Sequence, residues 1–252
     1  MYDETASDLR FAGSNNGGEV EFSHSPAQQN FHQELEAVIE KHSVYLWEVM
    51  NMPEVKLPTW YLVIKRSMDI LVGTLGLILL SPLFLVVAIM IKFDSSGPIF
   101  FSQVRVGKKG KLFKIHKFRT MVIDAEEKTG PVWAIENDPR LTYIGKFLRK
   151  SKIDEFPQFM NLILGNMTMV GPRPERPFFV DHFIREIPGY IRRLDISPGI
   201  TGAAQLRNGY DRSAVDIIKK LRFDITYMKK MGLYMDIGIL KETFLSVLRG
   251  KF

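Results

Sequence analysis

The sequence predicts a predominantly helical α+β fold, with a re-entrant membrane helix-break-helix ahead of a cytoplasmic domain that contains a small β-hairpin. Three observations predict it. Residues 70–91 hold no charge over 22 positions yet are interrupted by Ser81-Pro82. Two runs rich in Phe, Val and Ile flank Gly107-Lys108-Lys109-Gly110. Apolar residues at helical spacing return from Ile144 onward.

The 252 residues suffice for one core with appendages. A formal charge of +6 points to anionic partners such as phosphates, nucleic acid or anionic lipid. The chain has no cysteine, which excludes disulfides, zinc ribbons, iron–sulfur clusters and thiol nucleophiles. Residues 1–30 carry early acids (Asp3, Glu4, Asp8), much Ser, Asn, Gln and Gly, and no apolar stretch; they read as a disordered tail rather than a signal peptide.

Over residues 31–60, Phe31, Leu35, Val38, Ile39 and Leu46 recur at helical spacing among polar residues. They predict an amphipathic helix ending near Asn51, followed by a linker marked by Pro53 and Pro58. Such a helix serves packing or dimerisation, and a homodimer is left open.

Residues 61–95 contain the uncharged segment, whose 22 positions at ~1.5 Å each would make a helix of about 33 Å, enough for a single transmembrane span. Two features favour re-entry instead. Pro82 removes a helical hydrogen bond near the middle and bends the axis, and the Ser81 hydroxyl can satisfy a carbonyl so freed. Both flanks are also basic, with Lys65 and Arg66 before and Lys92, Arg105, Lys108, Lys109 and Lys111 after, which marks both as cytoplasmic.

Residues 96–252 form the remaining domain. No acidic residue lies between Asp94 and Asp124, a window that holds the hairpin and seven basic side chains. Lys108 and Lys109 at the turn read as solvated, whereas Lys117 and Arg119, beside apolar Phe118 and Met121, are candidates for binding phosphate at a membrane surface. Residues 124–140 are polar and loop-like.

The helical pattern then leads to adjacent carboxylates, Asp154 and Glu155, in "LRKSKIDEFPQF". Ser151 and Asp154 have the spacing of a capping box, which alone explains an acid here. The chemical alternative rests on Arg149, Lys150 and Lys152 nearby: carboxylates would compete with a phosphate for these cations unless a divalent cation such as magnesium joins them. An adjacent pair can also divide the work of nucleophile and proton or metal handling. "GPRPERP" from Gly171 fixes Arg173 and Arg176 on a proline-stiffened backbone suited to clamping phosphate, or else simply leaves a helix as a rigid turn. "SPGITG" from Ser197, preceded by Arg192 and Arg193, offers glycines that could adopt positive φ and expose amides. No GxxxxGK[ST], GxGxxG or HExxH motif is present.

In family order, "KRSMDILVG…LLSPLFL", "FSQVRVGKKGKLFKIHKFRTM", "LRKSKIDEFPQFMNLILGNMTMVGPRP" and "SPGITGAAQ" resemble the bacterial sugar transferases, the monotopic polyprenyl-phosphate phosphoglycosyl transferases, over roughly Tyr61 to Phe252. The resemblance implies a cytoplasmic catalytic domain that uses Mg2+ to pass a sugar 1-phosphate from a UDP-sugar to undecaprenyl phosphate at the cytoplasmic face of the bacterial inner membrane, with membrane lipid and no nucleic acid as its surroundings. It implies Asp154 as nucleophile and metal ligand, Glu155 as its catalytic partner, Lys117, Arg149 and Arg173 as phosphate-binding residues, and Ser81-Pro82 as the membrane break. The chain departs from many members at Ala203-Ala204, where they have tryptophan. Exopolysaccharide or related glycan assembly is the implied process. Two other readings are direct attack by the lipid phosphate, with the acidic pair as metal site and base, and a non-enzymatic membrane-bound adaptor.

Overall fold

The computed structural model describes residues 26–127, 138–207 and 213–249. Its elements are α1 (Pro26–Lys41), α2 (Ser43–Met50), α3 (Thr59–Asp94), β1 (Phe100–Val106), β2 (Leu112–Phe118), α4 (Tyr143–Lys150), α5 (Phe159–Leu164) and β3 (Thr168–Val170). These are followed by α6 (Pro177–Glu186), β4 (Gly199–Thr201), α7 (Ala203–Arg207), α8 (Ala214–Lys229) and α9 (Leu233–Leu248), with 3₁₀ turns at Lys108–Gly110, Ile153–Gln158 and Tyr190–Asp195. The disordered-tail reading of residues 1–30 lies outside the described residues up to residue 25, and residues 26–30 are helical.

The first helix therefore starts at Pro26 rather than Phe31, as a proline in a first turn permits, and it breaks at His42. Leu35, Val38, Leu46 and Val49 are buried in one cluster with Phe183, Ile218 and Leu221. Complete burial of Leu35 and of Leu46 stabilises the fold by about 1.5–3 kcal/mol each. The apolar stripe of α1 is thus covered by the chain's own α8, while Val44, Trp47 and Met50 stay exposed.

Helix α3 bends by 60° between Thr59–Leu79 and Ser81–Asp94. Pro82 cannot donate to the Ile78 carbonyl four residues back, and the Ser81 hydroxyl donates to that same carbonyl at 2.8 Å. Among the described residues no single helix is long and apolar enough to cross a membrane; only the two bent halves together meet that test. Leu71, Ile78, Leu79, Leu85 and Phe93 point outward.

Both ends of α3 are fastened to the same body. Near its start, Lys65 Nζ donates to Val170 O at 2.9 Å and Asp236 Oδ2 at 2.6 Å. Arg66 donates to the Leu162 and Ile163 carbonyls in the last turn of α5, and Leu162 O also accepts from the Gly165 amide at the helix end. Asp69 accepts from Thr168 Oγ1 at 3.0 Å and the Met169 amide at 2.7 Å. At the far end, Asp94 Oδ2 accepts from the Ile144 amide at 3.0 Å. Lys65 and Arg66, which in the sequence are only basic flanks, are hydrogen-bonded inward.

The hairpin pairs Phe100 with Phe118 through to Val106 with Leu112. Lys109 (φ 55°) and Gly110 (φ 76°) supply the left-handed residues of its turn. Phe113 and Ile115 pack on Leu162 and Met167, and the period of two places Lys117 on that inward face.

Candidate active site

Helix α4 ends at Ser151, whose hydroxyl donates back to the Phe147 and Leu148 carbonyls. That use of the hydroxyl explains why the Ser151–Asp154 capping box does not form; the following turn has no side-chain cap. Lys152 then takes a left-handed conformation (φ 58°), which costs a non-glycine residue roughly 1–2 kcal/mol. The reversal starts the 3₁₀ turn whose first residues include Asp154 and Glu155.

Glu155 Oε1 accepts from Lys117 Nζ at 2.6 Å and Arg173 Nη2 at 3.1 Å. Burial alone would push this carboxyl up, but Lys117 and Arg173 outweigh it and hold Glu155 well below the usual glutamate range. Asp154 behaves in the opposite way. It is 4% exposed, and burial pushes its carboxyl above the ordinary aspartate value, with Lys117 opposing. Its Oδ1 is buried with no hydrogen-bond partner among the described residues. Arg149, whose charge acts on Asp154, likewise keeps a buried Nη1 without a partner. An unpaired buried polar group costs about 1–3 kcal/mol, so the unmade bonds at Asp154 Oδ1 and Arg149 Nη1 leave an acceptor and a donor for a ligand. Two neighbouring carboxyls with ionisation pushed apart are also the pattern of divided chemical roles.

Lys117 reaches Glu155 from a strand fixed on its free edge by Asn161, which is 0% exposed. Asn161 Nδ2 donates to Lys114 O at 2.8 Å and its Oδ1 accepts from the His116 amide at 3.2 Å.

Arg173 reaches it from a backbone held at successive carbonyls. Pro172 O accepts from the Gly199 amide (2.8 Å), Arg173 O from Arg193 Nη2 (3.3 Å), Pro174 O from Arg105 Nη1 (3.2 Å) and Glu175 O from the Val106 amide (3.0 Å). The prolines make this backbone stiff, and the donors from three other segments give it one position.

Asp154, Glu155, Lys117, Arg149 and Arg173 are therefore brought together. Arg119 is not among them: it is buried and donates to the Ser95 and Ser96 carbonyls at the end of α3. Arg176 is also committed elsewhere, in a two-point bond to Glu126 at 2.7 and 2.8 Å. Arg192 donates to the Met52 and Pro53 carbonyls. Ser81 and Pro82 sit at the bend of α3.

The glycines of "SPGITG" serve close packing. Neither Gly199 nor Gly202 has positive φ, and a Cβ on Gly199 would lie 2.1 Å from the Gly171 nitrogen. Among the residues sequence reading missed, Asn161 carried no signal, and Arg105, Glu126 and Asp224 were visible only as charges without partners.

Magnesium needs near-octahedral oxygen ligands and commonly takes one or two from carboxylates and the rest from water and substrate phosphates. The described residues contain no group of three or more His, Asp or Glu arranged as a cage. The unpartnered Asp154 Oδ1 is one hard oxygen beside cations, which fits magnesium that arrives with a diphosphate.

Residues 60–250 match the family model described as bacterial sugar transferase. The chain is 45% identical over 190 residues to the UDP-N-acetylgalactosamine-undecaprenyl-phosphate N-acetylgalactosaminephosphotransferase of Aeromonas hydrophila, covering 75% of this chain and 45% of that protein. It is 41% identical over 194 residues to the UDP-glucose:undecaprenyl-phosphate glucose-1-phosphate transferase of Klebsiella pneumoniae, covering 75% and 40%. It is 40% identical over 197 residues to the exopolysaccharide production protein PSS of Rhizobium leguminosarum bv. phaseoli, covering 75% and 98%. The match thus spans less than half the length of the Aeromonas and Klebsiella relatives.

Proposed function

Because the chain belongs to the bacterial sugar transferase family, we propose that it passes a sugar 1-phosphate from a UDP-sugar to undecaprenyl phosphate and releases UMP, as an early step of exopolysaccharide or related glycan assembly. The observation that carries this reading is the pairing of an unpartnered, buried Asp154 oxygen with a Glu155 already neutralised by Lys117 and Arg173.

The reaction proceeds by two displacements. An Asp154 carboxylate oxygen attacks the β-phosphorus of the UDP-sugar; the bond from that phosphorus to the bridging oxygen breaks, and UMP leaves with the electron pair. An oxygen of undecaprenyl phosphate then attacks the same phosphorus, and the Asp154–phosphorus bond breaks to restore the carboxylate. Burial raises the Asp154 carboxyl, which makes its ionised form a poorly solvated and more basic nucleophile. Glu155 stays ionised and holds Lys117 and Arg173 beside the reacting phosphate, where their charge offsets what develops there. Arg149 Nη1 is the donor left to meet a phosphate oxygen. Magnesium, held through Asp154, would screen the diphosphate when bound.

Helix α3 enters and leaves the cytoplasmic leaflet of the inner membrane by one face. The bend at Ser81-Pro82, the outward apolar side chains and the fastening of both ends to one body support this arrangement. It would keep the site at headgroup level, where a lipid phosphate lies.

The test is to reconstitute the purified chain in vesicles with undecaprenyl phosphate and magnesium, and to offer UDP-glucose, UDP-galactose and UDP-N-acetylgalactosamine in turn. Lipid-dependent UMP release is expected with at least one donor. No release with any of them would contradict the proposal.

A further inference from the structure

The peptide that carries Arg173 is itself held by a buried arginine. Arg193 is 6% exposed and uses all three guanidinium nitrogens: Nε donates to Asp224 Oδ2 at 2.7 Å, Nη1 to the Tyr190 hydroxyl at 2.6 Å and Nη2 to Arg173 O at 3.3 Å. Asp224 is 1% exposed and comes from α8; Arg193 and Tyr190 come from the 3₁₀ turn before β4. A buried ion pair is a weak source of stability, because apolar residues of the same volume often do as well. What this pair supplies is a direction.

The direction of a side chain is set by the two peptide planes that flank its Cα. For Arg173 the first plane is held at Pro172 O by the Gly199 amide, and the second at Arg173 O by Arg193. Pro174 further restricts Arg173 to extended conformations. With both planes fixed, the Cα–Cβ bond of Arg173 has one orientation, and its guanidinium arrives on Glu155 Oε1.

We propose that Arg193, anchored by Asp224 and Tyr190, is a positioning residue for the transfer: it fixes the Arg173 peptide so that Arg173 meets Glu155. This inference rests on the transfer reading of the site, and two measurements separate them.

The first is a double-mutant cycle on kcat/KM for UMP release, with Arg193→Lys and Arg173→Lys and whichever of the three UDP-sugars the wild type turns over. Arg173→Lys alone should lower kcat/KM by about tenfold or more, as for one charge-assisted hydrogen bond, but by less than about twofold in the Arg193→Lys background. Losses that multiply would show that Arg193 supports only the fold and would overturn the proposal. If Arg193→Lys yields no folded protein, Tyr190→Phe, which keeps the Arg193–Asp224 pair, goes through the same cycle with the same two outcomes. The second is independent of turnover: a double-mutant cycle on stability by equilibrium denaturation, with Glu155→Gln and Arg173→Lys, run in the wild-type and in the Arg193→Lys or Tyr190→Phe background. The coupling between Glu155 and Arg173 should fall to less than about half in the variant background, because Arg173 is no longer held against Glu155; an unchanged coupling overturns the proposal. A wild type that turns over no UDP-sugar would refute the transfer reading alone, and the stability cycle would still decide the positioning role.

Discussion

Lys117 and Arg173 donate to one and the same atom, Glu155 Oε1, from 2.6 and 3.1 Å. Two cations from separate segments share one anion, so Glu155 compensates both. Glu155→Gln keeps the volume and leaves the two cations facing each other. It should destabilise the chain by about 2–4 kcal/mol, below the upper range for a broken buried pair because Arg173 is 35% exposed. Equilibrium denaturation checks this, and a loss under about 1 kcal/mol would mean that the two cations find other partners.

Asp154 feels the charge of Lys117 but has no hydrogen-bonded cation of this kind among the described residues. Its folded carboxyl is raised above 3.8, so its contribution to stability is full below that value and is lost as pH rises through the raised one. At neutral pH the buried charge is a standing cost. Asp154→Asn removes the charge and disrupts no cap, so Tm should rise by about 2–4 °C, equivalent to ~1 kcal/mol, while transfer is lost. Glu155 has the opposite sign: its folded carboxyl lies below 4.5, so its contribution is full above 4.5 and is lost as pH falls through the depressed value. The transfer rate of the wild type should therefore rise with pH through an apparent value above 3.8, with the fold intact by circular dichroism. A lower Tm in Asp154→Asn would assign that residue a structural role.

Asn161 predicts a coupled effect on stability and rate. Asn161→Leu leaves the Lys114 carbonyl and the His116 amide without their partner, at about 1–3 kcal/mol each. It also frees the edge of the strand that delivers Lys117. Both Tm and kcat should fall, and an unaltered Tm would show that the strand is held elsewhere.

What the sequence made legible was local. Gly107 to Gly110 between alternating runs signals the hairpin without help from the rest of the fold, and Ser81-Pro82 signals the bend because a proline disrupts its own helix. The Asp154-Glu155 pair was legible through its family motif. The basic residues could not be sorted in this way. Arg119, Arg176, Arg192 and Arg193 look no different in sequence from Lys117 and Arg173, but carbonyls and carboxylates from distant segments occupy them. The Ser151–Asp154 spacing was a sound cap pattern, overridden because the preceding helix takes the hydroxyl. Pro26 was an available start signal for α1 within a polar stretch that read as tail.

The fastening of both ends of α3 to one body predicts its topology. Single cysteines placed at Trp60 and at Ser102 in this cysteine-free chain should both be labelled from the cytoplasmic side by an impermeant reagent. Labelling from opposite sides would refute re-entry and indicate a span.

The most direct test of Asp154 as nucleophile is a mass measurement. The enzyme is mixed with magnesium and the UDP-sugar it turns over, in the absence of lipid acceptor, then quenched in acid and weighed intact. A sugar-phosphate adduct that maps to Asp154 and is absent from Asp154→Asn is the expected result. Substantial transfer to undecaprenyl phosphate by Asp154→Asn would contradict it.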